Sequence, residues 1–272
     1  MVRSLWSAAS GMIAQQTNVD TIANNLANVN TTGYKTEIAE FKSLLYQTMQ
    51  TKTTSANGEN KPISAQVGLG VRNSSITSVF KQGPMLASSS DTAFAIQGKG
   101  FFAVRGEDGK TYYTRNGNFN FNMGTNNGLV LSTSDGLPVL DTRGRAITLN
   151  SNYVASKITV SADGQLCYPD ASNNPQPIGI TIGVFQFSNP AGLEKTNDTL
   201  YSPTAASGAA LNEATNNNLE KSSVIQGYLE GSGVQVVDEM VNMIVAQRAY
   251  EMNSKAITTS DEMMQQANNL KR

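Results

Sequence analysis

A chain of 272 residues that is 39% apolar and only 15% charged draws its polarity from uncharged Asn, Ser, Thr, Gln and Gly, and has room for one large domain or about two to three small ones. A formal charge of −1 with no basic run gives neither nucleic acid nor an anionic membrane an electrostatic hold. The single Cys167 and the complete lack of histidine exclude an intrachain disulfide, Cys- or His-ligated metal sites and His-dependent catalytic triads, so no cofactor or metal is expected.

The N-terminus, Met1-Val2-Arg3-Ser4-Leu5-Trp6-Ser7-Ala8-Ala9, lacks the apolar core of a cleaved secretory signal. No apolar run reaches the roughly 18 residues that a bilayer-spanning helix needs. From Arg3 to Asn30 the pattern is helical. Leu5, Met12, Val19 and Leu26 recur every seven residues, with Ala8, Gln15, Ile22 and Val29 three residues after each. This a/d heptad predicts a helix roughly 42 Å long, stopped at Thr31-Thr32-Gly33 by a left-handed glycine. Gly11 costs on the order of 1 kcal/mol inside such a helix, which close approach of a neighbouring helix would explain. Trp6 is expected to pack on a partner helix.

Tyr46 to Ile63 is rich in Thr, Ser, Asn and Gly and reads as an extended or flexible arm. From Gly70 to about Phe187, short Val/Ile/Phe/Tyr runs alternate with turns. Asp108-Gly109, Asp135-Gly136 and Asp163-Gly164 predict hairpins, and the alternation from Ile178 to Phe187 predicts one strand. Ser188 to Asn218 reads as loop, and Ser223 to Leu229 as one more strand before Gly231-Ser232-Gly233. The last segment is again helical, about 50 Å long. Val236, Met243, Tyr250, Ile257 and Met264 lie seven apart, Met240 and Gln247 adjoin them, and Asp238 and Glu239 against Lys271-Arg272 follow the helix dipole.

The predicted fold class is therefore α+β, with N- and C-terminal helices forming a coiled-coil layer and an inserted, mainly-β domain between them in sequence. The expected division is residues 1–35 with 234–272 as the helical domain, 36–75 with 205–233 as a connecting arm, and 76–204 as the β domain. The acidic residues Asp91, Glu107, Asp108, Asp135, Asp141 and Asp163 supply carboxylates for a hydrolase, but turn chemistry already accounts for most of them. Gly98-Lys99-Gly100 lacks the third glycine of a dinucleotide loop, and no EF-hand pattern occurs.

Both ends also carry longer motifs. Ser10-Gly11-Met12 with Asn24-Asn25-Leu26-Ala27-Asn28-Val29-Asn30-Thr31-Thr32-Gly33-Tyr34-Lys35 closely resembles the N-terminal motif of flagellar rod and hook proteins. Glu239-Met240-Val241-Asn242-Met243-Ile244 with Ala246-Gln247-Arg248-Ala249-Tyr250-Glu251-Met252-Asn253-Ser254-Lys255 is similar to that family's C-terminal motif. Ile96-Gln97-Gly98-Lys99-Gly100-Phe101-Phe102 and Tyr113-Thr114-Arg115-Asn116-Gly117 are family-like as well. The overall length, Leu44-Leu45-Tyr46-Gln47 and Val234-Gln235-Val236-Val237 resemble the distal part of the rod; proximal rod and hook-type subunits are the alternatives. Met123-Gly124-Thr125-Asn126-Asn127 departs from the pattern, at a β turn.

The resemblance implies a non-enzymatic axial subunit of the basal body, in a rod that crosses the cell envelope. It would assemble as a helical homo-oligomeric tube with the helices inside and the β domain outward, exported by the flagellum's own type III apparatus without cleavage. Expected partners are further copies, proximal rod proteins, hook or hook-junction proteins, rings around the rod and the export apparatus; nucleic acid and bilayer insertion are not expected. Subunit contacts are expected at Leu5, Trp6, Gly11, Met12, Val19, Ile22, Asn25, Leu26, Asn28, Val236, Met240, Met243, Gln247, Arg248, Tyr250 and Ile257. The amide-rich seams suit hydrogen bonding between subunits, with Arg248 as an ion-pair or amide partner. Two stripes alone hold long helices poorly, so the terminal segments are expected to gain order on assembly.

Overall fold

The computed structural model describes residues 2–50, 65–124, 128–150, 153–170, 172, 174–197, 199–216 and 218–270. The architecture is mixed α+β, with one helix at each end and short antiparallel strands between them. The chain divides into two compact units: residues 1–27, 37–78 and 235–272, and residues 28–36 with 79–234.

The first unit is built on α1 (Val2–Ala27) and α2 (Val236–Asn269). At the usual rise these are about 39 and 51 Å long. They run antiparallel. Ser4 Oγ lies 3.4 Å from Ser260 Oγ, Gly11 faces the Asn253 amide, and Asn25 Nδ2 reaches Glu239 Oε1 at 3.4 Å. Each step of seven along α1 is thus answered by a step of seven back along α2, the interval at which helix faces recur. The contact line uses small and polar residues. A Cβ on Gly11 would stand 2.9 Å from Asn253 Nδ2, so the close approach expected at this glycine is made by the chain's own second helix.

Leu5, Met12, Val19 and Leu26 flank this line half-buried, while Ala8 and Ile22 are buried. On α2 the expected second row is displaced by one residue. Met240 and Gln247 are exposed, and Glu239 and Ala246 are buried in their place. Close helix packing selects small side chains such as Ala246 over the longer ones beside them. The first helix ends at Ala27 rather than Asn30, because Asn28 opens a turn: its carbonyl accepts from Thr31 N–H at 3.1 Å and its side chain from Thr31 Oγ1 at 3.1 Å. Val29 accordingly lies outside the helix. Lys271 and Arg272 lie outside the described residues.

Two ribbons complete this unit. Glu37–Ser43 pairs with Val71–Ser78, with a register shift at Glu40/Phe41, and Tyr46–Gln50 pairs with Ala65–Gly68. The stretch expected as an irregular arm therefore begins in a strand; residues 51–63 of that expectation lie outside the described residues.

In the second unit a six-stranded antiparallel sheet runs in the order Glu194–Lys195, Leu200–Ser202, Thr111–Thr114, Phe101–Arg105, Val184–Gln186, Leu211–Asn212. Phe101–Arg105 is buried on both faces, as an unbroken Phe-Phe-Ala-Val run requires. Phe102 and Val104 face a cluster with Ile96, Phe119, Leu131 and Ile182. Phe101 and Ala103 face a second cluster with Tyr113, Phe187 and Tyr201.

The hairpins expected at Asp108-Gly109 and Asp163-Gly164 join paired strands, and Asp135-Gly136 turns the chain into the Ser132–Pro138 bridge. Two strand expectations are corrected. Ile178 to Phe187 splits into Pro175–Thr181 and Val184–Gln186 in different sheets, at Gly183, where a Cβ would meet Asp141 O at 2.7 Å. Ser223 to Leu229 splits at Gly227 (φ 75°) into Ser223–Gln226, paired with Phe94–Gln97, and Tyr228–Glu230, paired with Met85–Ala87. The supposed loop from Ser188 to Asn218 supplies three short strands of the main sheet. Residues 125–127 of the divergent turn lie outside the described residues, between the paired strands Phe119–Met123 and Leu129–Thr133.

Candidate functional site

The largest unsatisfied feature is apolar. On the side of α2 opposite Glu239 and Ala246, Val237 (73% exposed), Val241, Ile244, Val245 (62%) and Met252 (67%) form a continuous stripe in water. On α1, Trp6 (70%) and Ile13, seven residues apart, are exposed as well. Val236, Met240 and Tyr250 are partly exposed, at 39 to 52%, and Met243 and Ile257 are half-buried. Val19 and Tyr250 line a groove of about 390 Å³ together with Gln16, Gln247 and Glu251. Arg248 lies within the stripe and pairs with Glu251 one turn on, at 2.7 Å with both side chains exposed; such a pair contributes at most about 0.5 kcal/mol.

Of the expected contact residues, Gly11, Ile22 and Asn25 make their contacts within the chain, and Asn28 belongs to the turn after α1. Val237, Val241, Ile244, Val245, Met252 and Ile13, apolar and exposed, were not among the expected contact residues. Their spacing of three and four residues marks a second helical face, overshadowed in the sequence by the seven-residue repeat.

Asn25 is buried and grips the backbone of Glu37 at both ends. Its Nδ2 donates to Glu37 O at 2.8 Å, and its Oδ1 accepts from Glu37 N–H at 2.9 Å. Asn24 Nδ2 adds a bond to the Glu37 carboxylate at 3.1 Å. Asn25 also meets Glu239, whose burial raises its pKa; the Asn25 bond opposes that shift and the Asp238 charge adds to it. A carboxyl pKa raised in the folded state gives stability that is complete below the unfolded value, about 4.3, and lost as pH rises through the folded value. Glu239→Gln removes this contribution. Thermal melts of the helices from pH 4 to 7 should show the wild type losing more stability than Glu239→Gln; parallel curves would refute the assignment.

In the second unit a buried ionic node gathers residues from distant parts of the chain. Lys35 (1% exposed) donates from Nζ to Glu230 Oε1 at 2.6 Å and to Lys81 O at 2.7 Å. Arg115 reaches Glu230 Oε2 at 3.2 Å and Gly98 O at 2.8 Å, and lies over the Phe101 ring at 5.0 Å. Gly83 N–H donates to Glu230 Oε1 at 2.9 Å. Desolvation lowers the pKa of both cations, against the pull of Glu230. The node joins the Tyr34-Lys35 and Thr114-Arg115-Asn116 motifs, and Thr32 Oγ1 bonds Asn116 Oδ1 at 2.8 Å beside it. Sequence reading missed this; the signal was a lysine and an arginine within otherwise uncharged motifs.

The acidic turns behave as turns. Asp108 accepts from Lys110 N–H and Tyr112 Oη, and Asp141 from Arg143 N–H and Arg145 N–H. A cleft of about 290 Å³ holds Asp163 and Glu213, but the Glu213 carboxylate is held by Gln186 Nε2 and by the N–H and Oγ of Ser222.

Three family models match the chain: "Flagella basal body rod protein" over residues 5–35, "Flagellar hook protein FlgE/F/G D1 domain" over 95–168, and "Flagellar basal body rod FlgEFG protein C-terminal" over 225–270. Proteins named "Flagellar basal-body rod protein FlgG" are similar over nearly the whole length. That of Borreliella burgdorferi is 45% identical, covering 100% of both chains. That of Agrobacterium fabrum is 43% identical over 96% of this chain and 97% of its own, and that of Bacillus subtilis 37% identical over 100% of both. The matched segments contain both terminal helices and the Phe101–Arg105 strand, and the chain belongs to the family of flagellar basal-body rod proteins.

Proposed function

We propose that this structural rod subunit polymerises into the distal segment of the rod, a helical tube that carries torque to the hook. The carrying observation is the stripe from Val237 to Met252, apolar and exposed on a helix that bears a family motif. Its occupants in this reading are the terminal helices of neighbouring copies, which would form a coiled-coil layer lining the tube. Among the described residues of α2 only Glu239 and Ala246 are buried, so most of its surface is available to neighbours, and gain of helical order on assembly follows naturally. Residues 1–35 with 234–272 then form the inner tube, 36–75 with 205–233 the connecting arm and 76–204 the outer β domain. Contacts run through Leu5, Trp6, Met12, Val19, Leu26 and the exposed side chains of α2, with Arg248 setting register by its charge.

The family consists of structural rod proteins, which answers the hydrolase alternative. Proximal rod and hook proteins, surrounding rings and the export apparatus are the partners this reading implies, with export in uncleaved form. Full burial of one Val or Ile is worth about 1.5–3 kcal/mol. Ile244→Asp should therefore raise the concentration needed for assembly at least about tenfold, and further by the cost of burying the new charge, while the β unit of the monomer melts as in the wild type. Sedimentation and electron microscopy measure both. Normal tubes from Ile244→Asp, or from a chain lacking residues 1–35, would overturn the reading, and bent tubes would favour a hook-type subunit over a rod.

A further inference from the structure

Glu230 lies six residues before α2 begins, and Lys35 eight residues after α1 ends. The buried node therefore ties together the two stretches of chain that carry the helices, and Arg115 ties both to the strands of the β unit. Backbone bonds run alongside: Gly33 N–H to Glu230 O at 2.8 Å, Gly231 N–H to Pro84 O at 2.8 Å, and Gly233 N–H to Tyr34 O at 3.0 Å.

An apolar trio of similar volume would fill this space with less desolvation cost. Ions add resistance to displacement. Pulling any member away leaves a buried charge without its partner, a far steeper penalty than sliding one apolar side chain past another. The node already has two cations on one carboxylate, and among the described residues Arg115 Nε finds no acceptor, so the loss of Glu230 would strand both cations.

We propose that Lys35, Glu230 and Arg115 are positioning residues that clamp both helix-bearing stretches to the β unit, so that load on the terminal helices enters the β unit through this node. The load path rests on the axial-subunit reading; the clamp itself is a property of the single chain.

Hydrogen exchange of the purified full-length chain tests the clamp. Lys35→Met should speed exchange at the Gly33, Gly83, Gly231 and Gly233 amides together by about tenfold or more, and by less than about threefold at Ala103 and Val104. Arg115→Lys, which keeps a cation but loses the second grip, should affect the same four amides to a smaller extent. Acceleration confined to the segment carrying the substitution, or equal acceleration across 101–105, overturns the clamp. In cells, rotation under rising viscous load is scored per assembled rod, using Arg115→Lys if Lys35→Met yields no rods. Failure several-fold more frequent than wild type at high load, with equal performance at low load, is the expected result. Load-independent behaviour at equal rod numbers overturns the load path while leaving the axial reading intact. Failure of the wild-type chain to form tubes would strike the axial reading and leave the exchange pattern untouched.

Discussion

Phe102→Ala should destabilise the β unit by about 3–5 kcal/mol. The side chain is fully buried in a strand covered on both faces, and its ring meets Phe119 edge-on at a centroid distance of 5.2 Å. Its strand is hydrogen-bonded between Thr111–Thr114 and Val184–Gln186, so the walls of the resulting cavity are held in place and cannot close over it. Urea unfolding followed by far-UV circular dichroism should show a lower midpoint with an unchanged slope. Leu45→Ala, at an 83% exposed side chain, is the control and should change stability by less than about 0.5 kcal/mol. A loss below about 1 kcal/mol for Phe102→Ala would mean that this cluster is not the core.

Gly33→Ala should cost about 2–4 kcal/mol, from two sources. Gly33 has φ 71°, where an L side chain costs about 1–2 kcal/mol. A Cβ there would also stand 2.6 Å from Asn116 N and 2.7 Å from Arg115 C, both backbone atoms that can yield only if the whole turn moves. Such movement would break the Thr32–Asn116 bond and the bond from Gly33 N–H to Glu230 O. Gly109→Ala separates the two sources: its φ is 76°, but nothing lies within 4 Å of the added Cβ, so only the backbone term applies. Equal losses at the two glycines, measured by the same unfolding experiment, would show that the close approach at Gly33 is not what selects glycine there.

Much of this architecture was legible in the residues. Two long helices at the ends and turn-punctuated strands between them follow from spacing alone, and Phe101-Phe102-Ala103-Val104 announces a strand without a wet face. The left-handed glycine at position 33 was legible too, although it lies six residues beyond the end of α1 because Asn28 opens a turn first.

The misses have physical causes. Strands of two or three residues, such as Glu194–Lys195 and Leu211–Asn212, are too short to show alternation and exist because a neighbouring strand is already in place. The break at Gly183 comes from the proximity of the Asp141 carbonyl, a contact between residues distant in sequence. At the helices, the seven-residue apolar repeat was visible, but packing buried the residues one position away: Ala246, which is small, in place of Gln247, and Glu239, which Asn25 hydrogen-bonds, in place of Met240. The repeat alone does not say how closely two helices approach. Lys35, Arg115 and Glu230 could be found only once the fold had joined them, since 195 residues separate the first from the last.

The seven-residue correspondence between α1 and α2 also sets an order of events. Ser4 meets Ser260 across 256 residues of chain, and Asn25 meets Glu239 across 214. Closing so long a loop is slow, and closure cannot begin before the far end of the chain exists. Phe101–Arg105 with Thr111–Thr114, and Phe119–Met123 with Leu129–Thr133, pair near neighbours and can form while the C-terminal residues are still absent. The first helix is therefore single for the whole time the β unit is being made. During that interval the Ser4, Gly11 and Asn25 line has no α2 of its own to meet, and a finished α2 of another molecule can take that place.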